Sequence, residues 1–173
     1  MRLFLVGYMG CGKSSLGKKL SKALNLRFVD TDAEIERREG ASVNDIFRYE
    51  GEEYFRKSER RVIEEIIEEQ ADVVVSTGGG LPLWRDNMEL MNGAGITIFL
   101  KRSAEQIASR LSPHGRQKRP KLRGLNDEEL VAFMRENMLQ REPYYKKAQL
   151  CIDCVPLSDA ELVKKIIEYV DEQ

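Results

Sequence analysis

Residues 7–14, Gly-Tyr-Met-Gly-Cys-Gly-Lys-Ser, constrain this chain more than any other stretch. They fit G-x-x-x-x-G-K-[ST] in the context that spacing requires. The apolar run Leu3–Val6 reads as a fully buried strand before them, and a helical pattern opens at Lys13. Glycines let such a loop fold back so that its N–H groups converge on phosphate oxygens, and the helix N-terminus behind it adds partial positive charge. Lys13 is placed to reach the β- and γ-phosphates, and the Ser14 hydroxyl to ligate Mg²⁺. The four fixed positions match by chance in roughly one chain of this length in a few hundred, before the flanking strand and helix are counted. Gly10, Cys11, Gly12, Lys13, Ser14 and Ser15 are therefore predicted to hold a nucleoside triphosphate.

The rest of the chain alternates strand and helix patterns. Leu16, Leu20 and Leu24 share one face of a helix over 13–24. A short strand at 27–30 runs into Asp30-Thr31-Asp32, where Thr31 or Asp32 can cap a helix over 33–38 that Gly40 ends. Ser42 opens another short helix, closed by Gly51. A long amphipathic helix over 52–69 carries Phe55, Val62, Ile63, Ile66 and Ile67 on its apolar side. Asp72-Val-Val-Val-Ser76 is a β-branched run of the kind covered on both faces of a parallel sheet. Leu81-Pro82 leads into a helix ending near Asn92, and a strand follows at 96–100. Ser103…Gln106 is a capping box for a helix to about Leu111, and Asn126 caps a long helix that Pro143 is expected to stop. A strand near 150–153 and a helix over 158–170 close the chain. Five strands alternating with helices predict an α/β three-layer sandwich with a parallel sheet, one domain over 1–173.

Composition narrows the function classes. Of 173 residues, 28 are basic and 29 acidic, a net charge of −1 that gives the chain as a whole no case for nucleic-acid or membrane-surface binding. No apolar stretch approaches the ~18 residues that span a bilayer, and Leu3–Val6 is too short for a signal-peptide core, so a cytoplasmic protein is expected. Cys11, Cys151 and Cys154 do not suggest a disulfide framework in that compartment. Cys151-x-x-Cys154 lacks a second cysteine pair and the chain has one histidine, His114, so the pair reads as buried strand-end cysteines rather than a zinc site, with a redox pair as the alternative.

Ligands in an open parallel sheet bind beyond the carboxyl ends of its strands. Three unusual stretches fall there: the phosphate loop, Asp30-Thr31-Asp32 and Ser76–Gly80. Beside a phosphate loop, Asp30 is expected to support the metal and Asp32 to contact an acceptor hydroxyl. Gly78, Gly79 and Gly80 leave room for a small polar substrate to lie against backbone N–H groups. Residues 112–124 break every periodicity and carry Arg116, Lys118, Arg119, Lys121 and Arg123. An irregular basic segment of that length predicts a lid that closes over the triphosphate and excludes water, with Arg119-Pro120 at its working end.

With these residues in view, the chain resembles the shikimate kinases almost end to end. The match runs through Gly7–Ser15, Asp30-Thr31-Asp32, Asp45-Ile-Phe, Gly51-Glu-Glu-x-Phe55-Arg56, Glu59, Gly78–Gly80, Arg119-Pro120 and Arg141-x-Pro143-x-Tyr145. The resemblance implies a nucleoside-monophosphate-kinase-like P-loop fold with sheet order 2-3-1-4-5, a shikimate-binding region at about 31–60 and a mobile lid at about 112–124. It implies an ATP-dependent phosphotransferase that moves the γ-phosphoryl to the 3-hydroxyl of shikimate, in aromatic amino-acid biosynthesis, giving ADP and shikimate 3-phosphate. Lys13, Asp32 and Arg119 would be catalytic, Ser14 and Asp30 would hold Mg²⁺, and Asp32, Arg56, Gly78, Gly79, Gly80 and Arg141 would bind shikimate. A monomer acting on ATP and shikimate, with no nucleic-acid or membrane partner, is expected. The sequence departs from the pattern twice. Arg110 and Arg116 are both candidates for the arginine near the adenine, and Lys121 stands where an apolar residue is common. The alternatives are a related gluconate or nucleotide kinase and a nucleotide-binding module without turnover.

Overall fold

The computed structural model describes residues 1–117 and 119–173; Lys118, counted above among the basic residues of the lid, lies outside them. Strands β1 (Arg2–Val6), β2 (Arg27–Asp30), β3 (Val73–Ser76), β4 (Ile96–Lys101) and β5 (Leu150–Asp153) form one parallel sheet in the order β2-β3-β1-β4-β5. The predicted architecture and strand order are present. Burial explains the order. Leu3–Val6 and Val73–Val75 are all buried, as central strands covered on both faces must be, whereas β2 and β5 alternate or stay partly exposed and lie at the edges.

Helices α1 (Lys13–Leu24), α2 (Thr31–Glu39), α3 (Val43–Tyr49), α4 (Glu52–Glu68), α5 (Asn87–Ala94), α6 (Ala104–Arg110), α7 (Pro113–Gln117), α8 (Asp127–Tyr145) and α9 (Asp159–Asp171) complete the described chain. Capping boxes at Ser103, Asn126 and Ser158 are formed, each cap side chain accepting from the backbone N–H three residues on.

Several local expectations are corrected. Helix α2 begins at Thr31 and is capped by Asp30, whose Oδ1 accepts from the N–H groups of Asp32 and Ala33 at 3.1 and 3.2 Å; neither Thr31 nor Asp32 is the cap. The stretch after Leu81 is a 3₁₀ turn, Leu81–Leu83, with α5 starting only at Asn87 and running to Ala94. The segment 112–124 is not irregular throughout. It contains α7 and a 3₁₀ turn, Pro120–Leu122, and Leu122 is only 1 % exposed, so an apolar anchor pins this end of the lid to the core. Pro143 does not stop α8. The proline removes a bond to the carbonyl of Leu139, a residue 70 % exposed, and the helix continues through Tyr145, where the C-cap Lys146 N–H donates to Glu142 O at 2.9 Å. Cys154 is buried as expected, but Cys151 is exposed on the outer edge strand. Among the described residues no helix is long and apolar enough to cross a membrane.

Candidate active site

The register of the sheet sets Leu5, Asp30 and Ser76 side by side, so the next residues of three strands, the phosphate loop, Thr31-Asp32 and Thr77–Gly80, emerge at one edge. The loop turns into α1 through Gly12, which lies at φ 104° as the helix N-cap, a conformation L side chains rarely adopt. Lys13 is buried, and its ammonium donates back to Gly7 O at 2.8 Å and Tyr8 O at 3.0 Å. The lysine therefore fills the centre of its own loop, with both carbonyls served. Ser14 and Ser15 are exposed at the start of the helix. The Ser14 hydroxyl donates to Asp30 Oδ2 at 2.5 Å and lies 3.1 Å from Ser76 Oγ. Asp30 thus works at both ends, one oxygen capping α2 and the other facing Ser14. Of the two arginines considered for the nucleotide, Arg110 comes up to the loop beside Gly12, while Arg116 is tied to Asp127 at 2.7 Å.

A second set of groups converges on a cavity of about 400 Å³ adjoining the loop. Asp32, Arg56, Glu59, Gly78–Gly80, Arg119 and Arg141 line it, together with Met9, Phe47, Phe55 and Lys121. Arg56, which on its helix alone would pass for a surface charge, is only 14 % exposed. Its guanidinium pairs with Glu59 at 2.6 Å and Glu52 at 3.3 Å and lies over the rings of Phe47 and Phe55. Arg141 lies over the Tyr8 ring, 5.5 Å from its centroid, and makes no ion pair among the described residues. Arg119 donates to Gly115 O at 2.6 Å, which folds it back on α7.

Two glycines of the triplet, Gly78 and Gly80, lie hard against side chains of the cavity. A Cβ on Gly78 would collide with Glu59 Oε1 and come within 2.8 Å of Asp32 Oδ1; one on Gly80 would fall within 2.6 Å of the Arg56 guanidinium carbon. Those two carboxylate oxygens are buried and have no partner among the described residues. Burial pushes the Asp32 carboxyl up to about 6, the neighbouring Asp30 raising it further against Lys13 and Arg56. Burial likewise pushes Glu59 up, to about 7, against the pull of Arg56. Two charge-bearing oxygens left without hydrogen bonds in the floor of a cavity mark a place built for a polar ligand.

The site residues expected from sequence thus fall into two adjoining groups, a phosphate-loop set and a cavity set. Thr31, Glu59, Ser76 and Tyr145 carry contacts in the site that no local sequence pattern assigns to them. Glu59 was visible as an acid inside the apolar stripe of α4, between Phe55 and Val62. Thr31 Oγ1 accepts from Gly78 N–H at 2.9 Å, and the Tyr145 hydroxyl donates to Gly79 O at 2.6 Å. Ser76 joins Ser14. These three depend on strand register and tertiary approach, which no local pattern encodes.

The match with known proteins follows the same residues. The family model for shikimate kinase matches residues 9–171. The chain belongs to the shikimate kinase family. A shikimate kinase of Parabacteroides distasonis is 47 % identical over 152 residues, covering 88 % of this chain and 87 % of that one. The crystal structure of the shikimate kinase of Bacteroides thetaiotaomicron superposes with a TM-score of 0.91 at 38 % identity, covering 99 % of this chain and 98 % of that one. That of Acinetobacter baumannii, in complex with shikimate, superposes with a TM-score of 0.87 at 32 % identity over 99 % of this chain and 93 % of that one.

Proposed function

We propose that the chain transfers the γ-phosphoryl group of ATP to the 3-hydroxyl of shikimate, giving ADP and shikimate 3-phosphate. The observation that carries this reading is the cavity beside the phosphate loop. It presents an unpartnered carboxylate, Asp32, and the cations Arg56, Arg141 and Arg119 to whatever enters. Shikimate is a carboxylate bearing three hydroxyls. Arg56 and Arg141 hold the carboxylate by charge-assisted bonds, each worth ~1.5–3 kcal/mol, while Asp32 and the backbone of Gly78–Gly80 take the hydroxyls.

On the donor side the loop N–H groups from Gly10 to Ser15 cradle the phosphates, and Lys13 exchanges its carbonyl partners for the β/γ-oxygens. Arg110 lies towards the adenine. Ser14 and Asp30 form a hard-oxygen pair that would hold Mg²⁺, and the ion would offset charge on the β- and γ-phosphates. In the transfer, the acceptor oxygen bonds to the γ-phosphorus as the bond to the β,γ-bridging oxygen breaks. The hydroxyl proton passes to Asp32, and Lys13 and Arg119 stabilise the charge on the moving group. A carboxyl near 6 is mostly ionised at neutral pH yet basic enough to receive that proton.

The chain acts as one kinase domain, monomeric and cytoplasmic, with the region at about 31–60 and the lid at about 112–124 closing on the substrates to keep water from the phosphoryl group. A coupled ADP-release assay tests the reading. Strong release that depends on shikimate, over a low basal ATPase, is expected. Turnover of gluconate or a nucleoside monophosphate with shikimate at background would assign the chain to a related kinase. Equal rates with and without any acceptor would remove the kinase reading.

A further inference from the structure

Among the described basic residues of the lid segment, all but one of those at positions 116, 119, 121 and 123 are committed within the fold. Arg116 pairs with Asp127 at 2.7 Å, Arg119 donates to Gly115 O at 2.6 Å and Arg123 donates to Gln117 O at 2.7 Å. Lys121 makes no hydrogen bond or ion pair among the described residues. It is exposed, and it lines the cavity proposed for the acceptor, next to the anchored Leu122. The other cations of that cavity already have neighbours: Arg56 is paired with Glu59 and Glu52, and Arg141 rests on Tyr8.

An uncommitted ammonium at a cavity mouth has two physical consequences. It raises the local concentration of anions by a field that ionic strength screens, and it gives up no existing bond when an anion arrives. Its neighbour Pro120 restricts the backbone, and buried Leu122 anchors the turn, so the charge is carried on an ordered turn of the lid. An apolar residue at this position would wall the cavity without any of this.

We propose that Lys121 is a specificity-determining residue of the acceptor side, drawing anionic acceptors into the cavity and holding the phosphorylated product more strongly than the acceptor itself. The inference rests on the shikimate reading above. The acceptor carries one negative charge; the product carries a phosphate as well, adding about −1.5 to −2 at neutral pH, so a fixed cation acts on it more strongly.

The experiment compares Lys121→Arg, Lys121→Met and Lys121→Glu with the wild type in steady-state kinetics at low and high salt. Lys164→Met, which removes an exposed lysine of α9 far from the cavity, serves as the charge-matched control. At low ionic strength Lys121→Met raises the KM for shikimate about three- to five-fold and the inhibition constant of shikimate 3-phosphate further still; both effects shrink below about twofold near 0.5 M salt. Lys121→Glu exceeds Lys121→Met, Lys121→Arg stays near wild type, and the KM for ATP moves by less than about twofold in every variant. An effect of the same size at both salt concentrations would make Lys121 a packing residue of the lid and overturn the proposal. So would equal changes for ATP and shikimate, or a KM for shikimate no different from that of Lys164→Met. A wild type without shikimate-dependent turnover would instead overturn the proposed function, and this inference with it.

Discussion

The two halves of the site are built on opposite principles. The proposed donor half centres on the phosphate loop, and most of its polar groups are served within the fold, the buried Tyr8 hydroxyl excepted. Lys13 serves the carbonyls of Gly7 and Tyr8, Ser14 serves Asp30, and Asp30 serves the first turn of α2. The proposed acceptor half is assembled from widely separated segments and keeps Asp32 Oδ1 and Glu59 Oε1 buried without partners and Arg141 without a counter-ion among the described residues. A loop that must close around a highly charged, flexible triphosphate benefits from a pre-formed cradle. A cavity that must recognise a small polyhydroxylated acid does so by keeping its hydrogen-bonding groups waiting, which costs stability until the acid binds. Activity and stability should therefore fall together in the donor half and move in opposite directions in the acceptor half.

Asp32→Asn is the largest test. Loss of the proton acceptor lowers kcat for shikimate phosphorylation by about 10²–10⁴-fold. Stability moves the other way. The Asp32 carboxyl titrates near 6 in the fold against an ordinary 3.8, so the folded protein holds the proton more tightly than the unfolded chain. The protonated form therefore favours the fold fully below about pH 4, and that advantage is lost as pH rises from about 4 through 6. The ligand-free variant should then match wild type near pH 4 and exceed it by about 1–3 kcal/mol at pH 7–8, read by urea unfolding. The same titration makes wild-type kcat/KM for shikimate fall as pH drops through about 6. A destabilised Asp32→Asn at pH 8 would break the contrast between the halves.

Lys13→Met should behave in the reverse sense. It removes charge stabilisation from the transferring group, about 10²–10³-fold in kcat. It also leaves Gly7 O and Tyr8 O without their donor, which costs about 1–3 kcal/mol of stability. A variant as stable as wild type would show that the loop holds its shape without its lysine.

The same contrast explains what was legible in the sequence. The phosphate loop lies within consecutive residues, so a motif and its flanking periodicities were enough to place it, as they were for the five strands and the helix caps at Ser103 and Asn126. Asp30 and Asp32 were visible as a pair, but the cap of α2 was expected at Thr31 or Asp32, and its place at Asp30 depends on side-chain direction at the strand end. Arg56 and Arg141 carried no local mark of function and entered through the family resemblance alone. Pro143 misled, because the rule that proline ends a helix presumes that the freed carbonyl needs a protein partner, and Leu139 lies on an exposed face. The short helix at Pro113–Gln117 was hidden because five residues are too few for a periodic signal.

Tyr145 is the point where the two halves approach each other, and it sets the finest test. It lies one turn beyond Arg141 on α8, on the far side of Pro143, and is buried against Phe99. Its hydroxyl donates to Gly79 O at 2.6 Å, while a Cβ on Gly79 would stand 3.3 Å from Met9 N in the phosphate loop and 3.6 Å from Arg141 Nη1. The bond therefore ties the glycine wall to the helix that carries Arg141, right beside the donor loop. Tyr145→Phe keeps the ring packing and removes the hydroxyl, with its bond to Gly79 O and its hydrogen bond with Arg141, at a cost of about 0.5–1.5 kcal/mol for each bond. If the glycine wall belongs to the acceptor half, the loss appears as a rise of about three- to ten-fold in the KM for shikimate, with the KM for ATP changed by less than about twofold, because a shift of one wall alters a bound geometry by about one hydrogen bond's worth. Equal rises for both substrates would mean that Gly79 transmits its position to Met9 and the phosphate loop, so that the satisfied half and the waiting half move as one body.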